Sequence, residues 1–65
     1  MFFPRIAELR MDRDMTQQQV ANALGCNREQ YRRYEKGNNN LPIWALVKLA
    51  DLYGVSTDYI LGREK

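Results

Sequence analysis

Between residues 16 and 37 the sequence TQQQVANALGCNREQYRRYEKG sets two helix-length segments on either side of a single glycine, Gly25. Thr16 can cap the first segment: its hydroxyl meets free N–H groups while Gln19, three residues on, reaches back to the cap's own N–H. Met15 before the cap and Val20 at the fourth helical position have the spacing of a hydrophobic staple. Val20 and Leu24 give this helix an apolar stripe, and Ala21 is small where a second helix must approach closely. Gly25 admits the left-handed backbone that ends a helix within a three-residue turn. A turn this short makes the two helices cross steeply, and the remaining chain has to pack around that crossing.

On a 3.6-residue wheel the second segment divides into two faces. Tyr31 and Tyr34 share one, while Arg28, Glu29, Arg32, Arg33 and Lys36 fill an arc of about 140° on the other. The polar arc ends in long hydrogen-bond donors with one carboxylate among them, as on a surface that reads hydrogen-bonding edges as well as charge. An ordinary solvated face has the same composition, so the charge elsewhere in the chain decides between them. Residues 1–26 set three arginines against Glu8, Asp12 and Asp14, and residues 41–65 set three basic groups against Asp51, Asp58 and Glu64. Both flanks are neutral. The net charge of +2 therefore sits between Asn27 and Asn40, in Arg28, Arg32, Arg33 and Lys36 less Glu29 and Glu35. So compact a positive field suits a phosphate-facing surface.

Helical spacing runs through the rest of the chain, with no alternating strand pattern, linker or repeat. Pro4 can open a first helix with Ile6 and Leu9 facing inward, ending near the Asp12-Arg13-Asp14 cluster. Asn38, Asn39 and Asn40 form a turn whose amides are also able to meet phosphates. Pro42 starts a fourth helix in which Ile43, Leu46, Ala50 and Tyr53 keep the spacing of an inward stripe, closed by Gly54. Ser56 caps a short last helix holding Tyr59, Ile60 and Leu61, with Gly62 as terminator. Sixty-five residues read as one domain, residues 1–65, burying about 60% of the extended-chain surface. With no histidine, one cysteine and one serine used as a cap, the chain assembles no nucleophile-base pair and no usual zinc set, so neither enzyme activity, metal nor cofactor is expected. The longest apolar run, residues 43–47, is far below membrane-spanning length, and a cytoplasmic protein is expected.

Three stretches together resemble the Cro and phage-repressor type of helix-turn-helix domain, the XRE family. MTQQQVANALG is similar to the family's first motif helix, YRRYEKG to the end of its recognition helix, and LVKLADLYGVSTDYILG to its last two helices. With RIAELR at the start, the likeness covers about residues 4–62, with the motif at about 16–37. It implies an all-α, compact five-helix fold of the lambda-repressor type, and a repressor-like transcription regulator that binds duplex DNA sequence-specifically, associated with the nucleoid. The helix from about Asn27 to Lys36 would enter the major groove and the helix from Thr16 would cross the backbone. By match of position, Arg28, Glu29 and Arg33 are the base-edge readers and Gln17, Gln18, Asn27, Lys36 and Asn38 grip phosphates, with Arg32 able to do either. A homodimer on an inverted repeat is implied, held by residues 53–61.

The same resemblance pairs Arg10 with Glu35 inside the fold and puts Cys26 where the family has an aliphatic residue. Tyr31 and Tyr34 are read as packing residues, although stacking on bases is the other role open to them. Trp44, off the inward stripe of the fourth helix, either packs locally or anchors a partner. A protein-interaction module built on the same scaffold is the competing function, and an acidic or apolar outer face on the second motif helix would mark it.

Overall fold

In the computed structural model, which describes residues 2–63, the capping signals become five helices: α1 Pro4–Asp12, α2 Gln17–Leu24, α3 Arg28–Lys36, α4 Ile43–Tyr53 and α5 Thr57–Leu61. Among the described residues there is no strand. Thr16 Oγ1 accepts from Gln19 N at 3.1 Å and Gln19 Oε1 accepts from Thr16 N at 2.8 Å, which completes the capping box of α2. Asn27 Oδ1 accepts from Gln30 N at 2.7 Å to start α3, and Ser56 Oγ accepts from Tyr59 N at 3.0 Å to start α5. Each such cap stabilises its helix end by about 1 kcal/mol. Gly25 ends α2 at φ 79°, with Cys26 N donating to Ala21 O at 3.0 Å. Three residues then suffice to lay α3 against α2.

α2 sits centrally, packed on α3 and α4, while α1 meets α3 and α5, and α5 closes back on α4. The core collects Ile6 and Leu9, Val20, Ala21 and Leu24, Tyr31 and Tyr34, Leu49, Ala50 and Tyr53, and Ile60, so every helix contributes. Burial of each large side chain is worth about 1.5–3 kcal/mol. Tyr31 and Tyr34 are buried and therefore pack rather than stack on a ligand, and Met15 and Cys26 lie partly buried at the core's edge.

The stripe expected on α4 is rotated in the structure. Ala50 and Tyr53 are buried and Leu46 partly so, but Ile43 is 79% exposed, while Ala45 and Leu49 are fully buried. The helix packs against both α2 and α5, and its inward arc centres between Leu49 and Tyr53, about 100° round from Ile43 at 100° per residue. The outer face carries Ile43 with Trp44 and Val47, both 45% exposed. Lys48 lies 5.8 Å from the Trp44 ring and donates to Leu24 O at 3.4 Å, at the end of α2.

Candidate nucleic-acid interface

The orientation of α3 is set from behind. Its two tyrosines are buried, and Glu35, only 7% exposed, accepts from Arg10 Nε at 2.7 Å and Nη2 at 3.4 Å and from Gln17 Nε2 at 3.1 Å. Arg10 also donates through Nη1 to Met15 O at 3.0 Å. One carboxylate thus joins α1, α2 and α3, and the Arg10–Glu35 pair implied by the resemblance is present. Burial pushes the Glu35 carboxyl's pKa up, but the hydrogen bonds from Arg10 and Gln17 outweigh it and the net shift is downward. The Tyr31 and Tyr53 hydroxyls lie buried close by without a hydrogen bond. Burial, and then the neighbouring Glu35 carboxylate, raise the Tyr31 phenol's pKa, yet the two groups miss hydrogen-bonding geometry, so the hydroxyl counts as unpaired.

Fixed in this way, α3 turns Arg28, Glu29, Arg33 and Lys36 to solvent, with Arg32 half-buried beside them. Glu29 is not isolated among the cations: Arg32 Nε donates to its Oε2 at 2.9 Å and Arg33 Nε to its Oε1 at 3.4 Å. The Arg32 hydrogen bonds, assisted by Arg33, hold the Glu29 carboxyl down at about 2. Arg28 and Lys36 make no salt bridge among the described residues.

The starts of α2 and α3 border an open depression lined by Arg10, Met15, Thr16, Gln17, Gln18 and Arg28. Asn27, Glu29 and Arg33 border a second, next to Gln30 and Asn39. Lys36 and Asn38 are exposed at the far end of α3, about 12 Å along its axis from Arg28. Several of the side chains assigned to phosphate already have partners: the Gln17 amide is held by Glu35, the Gln18 amide donates to Asn22 Oδ1 at 2.9 Å, and Asn27 caps α3. Gln30 received no role from the sequence because it falls between Arg33 and Tyr34 on the wheel. Its amide donates to Tyr34 Oη at 2.8 Å, an i, i+4 contact that sequence spacing alone allows.

Residues 5–59 match the family model of the helix-turn-helix domain. The chain belongs to the helix-turn-helix family. Its helix-turn-helix sequence is similar to the cryptic phage CTXphi transcriptional repressor RstR of Vibrio cholerae, 42% identical over 55 residues that cover 85% of this chain and 50% of that protein. The uncharacterized HTH-type transcriptional regulator YobD of Bacillus subtilis is 40% identical over 62 residues, covering 95% of this chain and 55% of its own. The HTH-type transcriptional regulator AnsR of Bacillus subtilis is 39% identical over 61 residues, covering 94% of this chain and 53% of its own. The helix-turn-helix chain thus spans about half the length of the curated relatives it matches. Among its described residues no helix is long and apolar enough to cross a membrane.

Proposed function

We propose that this domain binds double-stranded DNA sequence-specifically in a repressor-like transcription regulator, with α3 in the major groove and α2 across the sugar-phosphate backbone. The observation that carries the reading is a helix anchored by a buried carboxylate and two buried tyrosines that turns Arg28, Glu29, Arg33 and Lys36 outward over the one segment of the chain with net charge. The relatives named as regulators and as a phage repressor support it. Arg28, Glu29 and Arg33 read base edges, an arginine favouring guanine and the carboxylate accepting from an exocyclic amine. Gln18, Asn27, Lys36 and Asn38 grip phosphates, and Gln17 contributes its backbone N–H at the start of α2 while its amide stays with Glu35.

Binding as a homodimer on an inverted repeat, with half-site centres about 34 Å apart, gives the site its length. The outer surface available for pairing includes Leu52 and Tyr59, each 36% exposed, and is extended by Trp44 and Val47; Tyr53 and Ile60 belong to the core of the single chain. A DNA partner places the protein in the cytoplasm. Selection from random duplexes, repeated at low and high salt, tests the reading. An enriched palindrome bound with steep salt dependence is expected, and a pool with no enriched sequence and salt-independent binding overturns it.

A further inference from the structure

Glu29 stands in the middle of the cationic arc and engages two of its members. Arg32 fills both carboxylate oxygens, Nε to Oε2 at 2.9 Å and Nη2 to Oε1, and Arg33 Nε approaches Oε1 at 3.4 Å. These are the guanidinium donors that a phosphate oxygen or a guanine edge would otherwise take. Glu29 is 56% exposed and lies on the outer face, so it adds nothing to the core and is free to follow a change of partner.

We propose that Glu29 is a specificity-determining residue that competes with DNA for Arg32 and Arg33 and releases them at low cost only where the amine of a base pair lies on the strand that faces its carboxylate. This rests on the DNA-binding reading of α3. On a wrong sequence the donors that Arg32 and Arg33 turn to DNA are withdrawn from Glu29, whose carboxylate then faces an anionic backbone and a base-edge acceptor. Every base pair carries one exocyclic amine in the major groove, cytosine N4 or adenine N6, so the missing donor is supplied only where that base lies on the strand facing Glu29; the reversed pair sets a carbonyl oxygen there instead. The exchange is then nearly even, because exposed ion pairs on a helix are individually weak. Glu29 therefore weakens attachment to the wrong sequence more than to the right one, which is discrimination by penalty. A purely cationic arc would bind more tightly and choose less well.

The test uses the full chain with Glu29→Gln, which keeps shape and hydrogen-bonding capacity but removes the charge, and reads affinity by fluorescence anisotropy on a selected duplex and on a random one. Expected is a gain of about threefold to tenfold on random duplex, a salt dependence steeper by about one ion, and discrimination reduced by at least the same factor. In an Arg32→Ala background most of that gain should vanish, since the competitor then has less to hold. The melting temperature of Glu29→Gln should match that of the parent. Unchanged affinity for random duplex, or a gain of the same size with and without Arg32, overturns the proposal while leaving DNA binding intact. A parent chain that neither selects a sequence nor responds to salt overturns the DNA-binding reading, and this role of Glu29 with it.

Discussion

Three arginines lie on or just beyond α1 and three lie on α3, and a count of charge treats them alike. The structure does not. Arg5 Nη1 donates to Tyr59 O at 2.9 Å with its guanidinium 4.2 Å from that tyrosine's ring, Arg10 is paired with Glu35, and Arg13 Nη2 donates to Tyr53 O at 2.8 Å. Two of these contacts meet carbonyls at the C-terminal ends of α4 and α5, where the helix dipole favours a cation. On α3, by contrast, Arg32 and Arg33 bond to a carboxylate of their own helix and Arg28 extends into a depression at the surface. An arginine becomes structural when another helix brings an acceptor within reach. It stays available when only its own helix does.

The sharpest way to break that comparison is at the carboxylates the two sets hold. Glu35→Ala should destabilise the fold by about 3–5 kcal/mol, because Arg10 is left desolvated without its partner, and that is a large share of what a small domain has. Glu29→Ala should barely move the melt. Equal shifts in thermal melts of the two variants would erase the distinction. Because the folded Glu35 pKa lies below its ordinary 4.5, its contribution is complete above that value and fades as pH falls through the folded pKa. Glu35→Gln should flatten the acid limb of a stability-against-pH curve, measured by urea unfolding.

A smaller effect separates function from fold on α3. Arg28→Ala or Arg33→Ala should lose about 1–3 kcal/mol of discrimination at one or two base pairs with an unchanged melt, whereas Lys36→Ala should weaken all duplexes alike. Equal losses on selected and random duplexes for both arginine variants would remove the base-reading role. Smallest of all, Arg13→Ala should cost about 0.3–1 kcal/mol of stability through the exposed end of α4. Its DNA affinity, followed by anisotropy, should not change.

What was legible in the sequence was chiefly what is local. The Thr16–Gln19 box, the Gly25 turn and the Ser56 cap each act within four residues, so residue order alone places α2, α3 and α5. The register of α4 depends on two neighbours that grip it at once, which the i, i+3, i+7 spacing of Ile43, Leu46 and Ala50 does not encode. Gln17 shows the same limit at the site. Its position at a helix start suggests phosphate, but its amide goes to a carboxylate 18 residues away, seen only once α2 and α3 are packed. The Arg10–Glu35 pair, 25 residues apart, came from family resemblance and not from composition.

Three hydrogen bonds converge on Glu35 from two other helices, so α3 gives up its backbone freedom when the chain folds rather than when it meets a partner. Ordering a residue costs about 1–2 kcal/mol of conformational entropy, and a recognition element that arrives already ordered leaves only side chains to immobilise at contact. Encounter should accordingly need no slow backbone rearrangement, and the association rate should follow diffusion and electrostatic steering. The lifetime of the complex is then set at the outer face of α3, while the carboxylate buried behind it leaves its speed of formation to diffusion and steering.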